Sequence, residues 1–164
     1  MDRASELFEN HHESLYRYLV RLSGEPDIAA DAAQEAFVRL LERPPKGPVE
    51  RAWLFKVGTN CVLEGLRTAA RRERLLDGRA DQTMADPPRD PAEVLEAEQR
   101  RQAVMAALAQ LKDKERIAVL MREEGFSHRE IADAVGTTTG SVGTLLARTL
   151  ERLAREITLD REVL

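Results

Sequence analysis

Residues 127–150 read SHREIADAVGTTTGSVGTLLARTL, and the fold turns on how this stretch is parsed. Ser127 and Glu130 form an S-x-x-E capping box, so a helix is predicted from His128 with Ile131, Ala132 and Val135 turned inward. Gly136 ends it. Thr138 can cap a second helix, whose apolar residues Val142, Leu146, Leu150 and Leu153 step by four, four and three. Two short helices joined by a tight turn make a helix-turn-helix, a shape that reaches into the DNA major groove. At about 100 degrees per residue, Ser141, Thr144, Arg148 and Arg155 fall opposite the apolar stripe, where small and hydroxylated residues permit close approach to base edges. The plainer alternative is a solvated face on a helical hairpin.

Charge makes this module a puzzle. Phosphate neutralisation supplies most non-specific DNA affinity, yet residues 112–155 hold eight basic and seven acidic side chains, and the whole chain carries a formal charge of −4. Alone, such a domain should bind DNA poorly, so another contact must hold it in place.

Working toward the N-terminus, residues 77–98 read DGRADQTMADPPRDPAEVLEAE, with seven acidic side chains, two arginines, three prolines and few large apolar groups. Self-repulsion keeps such a stretch from forming a core. Residues 77–91 are expected to be a flexible acidic linker. A long amphipathic helix should follow from Ala92 to Leu111, and another from Asp113 to Glu124. Before the linker, Phe8, Leu15, Leu19 and Leu22 predict a first helix broken at Gly24 and Pro26. Asp27 is expected to cap a second, with Ala33, Phe37, Leu40 and Leu41 buried, ending before Pro44 and Pro45. A third should run from Arg51 with Leu54, Val57 and Cys61 inward, into the basic end RTAARRERLL. The expected fold is therefore all-α: a three-helix domain over 1–76, the linker, and a helix-turn-helix domain over 92–164.

The N-terminal helices present two contrasting faces. Asp31, Gln34, Glu35 and Glu42 share one side of the second helix, an acidic and amide-bearing surface suited either to solvent or to a basic protein partner. Lys56, Asn60 and Arg67 lie within about 40 degrees of one another on the third, and Arg71, Arg72 and Arg74 extend that positive charge. Trp53 could pack in the core or stack on an unpaired base.

Composition narrows the function classes. A soluble, helix-rich chain fits 43% hydrophobic and 33% charged residues. The polar N-terminus lacks the core of a signal peptide, no stretch approaches a membrane span, and the single Cys61 suits a reducing interior, so a cytoplasmic site is expected. His11, His12 and His128 are the only histidines; no Cys/His spacing suggests a metal and no phosphate-binding glycine loop occurs, so neither an enzyme nor a cofactor is expected.

The order DAAQEAF, RAWLFKVGTNCVLEGLR and LKDKERIAVLMREEGFSHREIADAVGTTTGSVGTLLAR resembles bacterial sigma factors of the extracytoplasmic-function branch, over residues 6–154. The chain also lacks the additional middle domain of larger sigma factors. The resemblance implies a subunit that binds core RNA polymerase, directs it to promoters and helps open the minus-ten region. It implies that Asp31, Gln34, Glu35 and Phe37 grip a coiled coil of the beta-prime subunit, and that Trp53, Lys56, Asn60 and Arg67 meet the minus-ten single strand. The loop over 43–51 would capture a flipped base. Arg129, Thr138, Ser141, Thr144 and Arg148 would read the minus-thirty-five duplex, beside the beta flap. An anti-sigma factor is a further implied partner, and no small-molecule substrate is. Where many relatives carry basic residues, this chain has Gly143 and Leu145.

Affinity would then come mainly from the polymerase, with two tethered weak DNA contacts adding specificity, and acidic linker residues could compete with DNA until polymerase is bound. The rival reading is a helix-turn-helix regulator that acts outside the polymerase holoenzyme; it accounts for residues 112–155 alone.

Overall fold

The structure is a computed structural model that describes residues 2–47, 51–75 and 91–163. Those residues form seven helices and no strand: α1 (Arg3–Ser23), α2 (Pro26–Glu42), α3 (Arg51–Leu75), α4 (Pro91–Ala109), α5 (Asp113–Glu123), α6 (His128–Val135) and α7 (Thr139–Val163). The first three pack on one another, and α7 gathers α4, α5 and α6 around itself. The expected linker lies outside the described residues except for Pro91, which opens α4. Positions 48–50 of the loop over 43–51 lie outside them as well.

In the N-terminal lobe, α2 contributes Ala29, Ala32, Ala33 and Ala36 to the core, all buried. Such small side chains let α1 and α3 approach closely and present Leu15, Leu19, Leu22, Leu54, Phe55 and Val62 to the same space. Gly58 serves the same end on α3, since a Cβ there would lie 3.2 Å from methyl groups of both Leu15 and Leu19. The buried hydroxyls are satisfied: Thr59 Oγ1 donates to the Phe55 carbonyl at 2.6 Å and bonds Tyr18 Oη at 2.7 Å. Burial pushes the Tyr18 hydroxyl's pKa well up, only partly opposed by the Thr59 bond, so it stays protonated.

Local signals end the helices where expected, with exceptions that have physical reasons. Gly24 and Gly136 adopt φ of 70° and 74°, the left-handed conformation that closes α1 and α6. Asp27, the expected cap of α2, sits inside its first turn, because Pro26 takes the first helical position and Glu25 becomes the cap residue. Leu41, expected in the core, is 67% exposed; about 100 degrees of rotation from Leu40 carries it off the alanine stripe. Phe8 and Leu150 are also left partly in solvent, at 47% and 39% exposed, and Cys61 is only half-buried.

The lobes are in contact. α1 rests on α4 and α5, and α3 touches α6. An aromatic chain crosses the seam, with ring centroids 5.0 Å apart for Tyr18 and Phe55 and 4.9 Å apart for Phe55 and Phe126.

Candidate nucleic-acid interface

The helix-turn-helix forms as the capping box requires. Ser127 Oγ accepts from the Glu130 amide at 3.1 Å and Glu130 Oε1 accepts from the Ser127 amide at 3.0 Å, satisfying two donors that the start of α6 would otherwise leave open. Ile131, Ala132 and Val135 are buried against α7, whose Val142, Leu146 and Leu153 face them and α5. A further tie comes from Glu115, which accepts from the Lys112 amide at 3.0 Å and from Arg152 on α7 at 2.8 Å.

This packing fixes the outward face. Arg129, Thr138, Ser141, Thr144 and Arg148 are all exposed. Thr138 Oγ1 accepts from the Ser141 amide at 3.3 Å and bonds the Ser141 hydroxyl at 2.8 Å, holding the first turn of α7. Among the described residues, Arg148 enters no ion pair. Each residue of the expected set is thus accessible to solvent.

On α2, Asp31, Gln34 and Glu35 are exposed together, and Glu35 pairs with Arg39 at 2.9 Å. Phe37 is not on that surface: it is 7% exposed and meets Phe8 edge-on with ring centroids 5.0 Å apart. It lies on the inner side of the helix, behind the exposed Asp31, Gln34 and Glu35. His12 lies over Phe8 at 4.5 Å, completing a small aromatic group at this end of α1.

The α3 set is divided. Asn60 and Arg67 are exposed, as are Arg71, Arg72 and Arg74, whereas Trp53 is partly buried and packs against the core. Lys56 reaches the other lobe, with Nζ 3.1 Å from Asp133 Oδ2 on α6. Beside it, Arg51 donates to the Glu124 carbonyl at 2.9 Å and to Glu124 Oε2 at 2.8 Å. The same guanidinium lies 4.6 Å from the Phe55 ring and 4.4 Å from the Phe126 ring. Burial lowers the pKa of nearby His11, and the positive charge of Arg51 lowers it further. Burial also raises the Cys61 thiol, a shift that Arg39 partly offsets, so that sulfur carries no thiolate character at neutral pH.

Sequence reasoning missed Arg51, Glu124, Phe126 and Asp133. Each looks ordinary in its own helix or turn, and partners 73 and 77 positions apart leave no local period to detect.

Comparison with known proteins identifies the assembly. The Sigma-70 region 2 family matches residues 7–72 and the Sigma-70, region 4 family matches residues 101–153. The ECF RNA polymerase sigma factor SigL of Mycobacterium tuberculosis is 33% identical over 164 residues, covering 94% of this chain and 90% of that protein. The chain belongs to the extracytoplasmic-function sigma factors. As an alternative sigma factor it directs RNA polymerase to promoters, and the regulator acting outside the holoenzyme is not favoured. The fold of this sigma factor is similar to that of RpoE from Bartonella quintana, solved in complex with the anti-sigma factor NepR, at TM-score 0.74 and 22% identity over 95% of this chain and 97% of that one. It is also similar to CnrH, solved in complex with the cytosolic domain of CnrY, at TM-score 0.69 and 19% identity over 96% and 88%.

Proposed function

We propose a division of labour between the two lobes of this sigma factor, with domains over 1–76 and 92–164. Asp31, Gln34 and Glu35 dock on the beta-prime coiled coil of core polymerase, held in place from beneath by Phe37. Lys56, Asn60 and Arg67 meet the minus-ten strand, with Trp53 bracing α3. Arg129, Thr138, Ser141, Thr144 and Arg148 read the minus-thirty-five duplex, next to the beta flap. The protein works in the cytoplasm as a regulatory subunit, contributing positions and charges rather than chemistry. No helix among the described residues is long and apolar enough to cross a membrane.

The observation that carries this reading is the separation of surfaces in one chain. An acidic and amide face on α2, a basic α3 and a free helix-turn-helix face each suit a different partner, and no single DNA contact would need all three. An anti-sigma factor is the remaining partner. In its favour is a cleft of 950 Å³ between α1, α4, α5 and α7, with Val20, Val104, Met105 and Leu108 in its wall and Arg17 and Arg21 beside them. Apolar depth with a basic edge suits an amphipathic helix that carries acidic residues.

The test is run-off transcription with purified bacterial core polymerase and a promoter library, comparing wild type with the Asp31→Ala, Gln34→Ala, Glu35→Ala variant. Defined transcripts from wild type and loss of core binding by the variant are expected. Full transcription by the variant would overturn the assignment of the α2 face.

A further inference from the structure

Two cations near the start of α3 are already occupied by carboxylates from the other lobe. Arg51 is held by Glu124 through two hydrogen bonds and lies against the rings of both Phe55 and Phe126. Lys56 is held by Asp133. The two pairs differ in strength. Arg51 and Glu124 have side chains 29% and 18% exposed, whereas Lys56 and Asp133 are 39% and 71% exposed, and water screens the second pair far more.

A carboxylate and a phosphate offer a guanidinium or ammonium group the same thing, anionic oxygens at hydrogen-bond distance. A cation committed to one cannot serve the other at full strength. We infer that Glu124 and Asp133 act as internal phosphate mimics, holding Arg51 and Lys56 so that the promoter strand engages them only after the lobes part. This rests on the reading that α3 meets the minus-ten strand. It places the competition for DNA in the helix-turn-helix lobe itself, where the sequence had suggested the acidic linker.

The arrangement also gives an order of events. Asp31, Gln34 and Glu35 are exposed while Lys56 is paired with Asp133, so polymerase can dock on the closed protein before DNA can. A closed state that outnumbers the open one by about ten to one weakens apparent strand affinity about tenfold, and removing the closure restores it.

The experiment measures binding of labelled single-stranded DNA of mixed sequence to the free, full-length protein by fluorescence anisotropy. Glu124→Gln with Asp133→Asn should tighten binding about tenfold and enlarge the radius of gyration in small-angle scattering. Adding Arg51→Ala and Lys56→Ala should abolish the gain. Glu9→Gln with Glu13→Gln, the same change in net charge at exposed positions of α1, should give no gain. Wild-type affinity in the double variant, or an equal gain in the α1 control, overturns the inference. Should the double variant fail to fold, Asp133→Asn alone, at a largely exposed side chain, should still tighten binding about twofold; no change there overturns it equally. Lys56→Ala in the reconstituted holoenzyme separates the two claims. Unimpaired promoter opening would refute the α3 reading itself, whereas impaired opening alongside an unchanged double variant would refute the mimicry alone.

Discussion

The two candidate DNA-reading helices, α7 and α3, differ in what stands in front of them. The recognition face of α7 is open, with Arg148 and Thr144 facing solvent, and its geometry follows from neighbouring residues in the chain. On α3, Lys56 faces Asp133 of the other lobe, and Arg51 lies against two aromatic rings and bonds a carboxylate. A surface built from one helix and its turn is ready as folded; one shared between lobes is available only when the lobes allow it. The free protein is thereby biased against holding melted DNA before polymerase does.

The comparison can be broken at the seam. Phe55→Ala should have the largest effect, because this buried ring touches both Tyr18 and Phe126. A loss of about 3–5 kcal/mol is expected in denaturant unfolding, with early separation of the lobes seen by scattering. Unfolding confined to one lobe would show that the aromatic chain does not couple them.

Arg148→Ala should weaken binding of the holoenzyme to a minus-thirty-five duplex by about 1–3 kcal/mol and leave single-stranded binding unchanged. Equal losses on both probes would mean that the open and covered surfaces are not functionally distinct.

A pair of glycines sharpens the contrast at the level of packing. Gly58→Ala forces a methyl to within 3.2 Å of Leu15 and Leu19, and a destabilisation of about 1–3 kcal/mol is expected from overpacking. Gly143→Ala on α7 meets nothing nearer than His128 Cε1 at 3.9 Å, so it should stabilise by up to about 1 kcal/mol through helix propensity. Thermal melts of both variants test the opposite signs.

The smallest effect concerns pH. Burial and the nearby Arg51 charge lower the His11 pKa in the folded protein, so the unfolded chain takes up its proton first, near pH about 6.5. The stability associated with neutral His11 is fully present above that pH and is lost as pH falls below it toward the depressed folded value. Melting temperatures between about pH 7.5 and 5.5 should decline, and His11→Asn should flatten the slope. An unchanged slope would assign it to other groups.

Much of the fold was legible because its determinants are local. The Ser127–Glu130 capping box, the Gly24 and Gly136 stops and the period of Val142, Leu146 and Leu153 act within a turn or two of helix, and the elements formed where those signals lie. The exposed Asp31, Gln34 and Glu35 and the free face of α7 follow from the same arithmetic. Reading failed at Leu41, where one step around the helix from Leu40 separates inside from outside and only the neighbouring helix sets the edge. It also failed at Asp27, where Pro26 claimed the start of α2.

The sequence by itself determined the helices, their order and the chemical character of each face, since helical period, caps and charge are properties of residues close together in the chain. Only the tertiary structure decided which of those faces are free. Arg51 and Glu124, and Lys56 and Asp133, meet across 73 and 77 positions. Such pairs depend on how two lobes settle against each other, and that is decided by packing along the Tyr18, Phe55 and Phe126 seam rather than by any pattern within one helix.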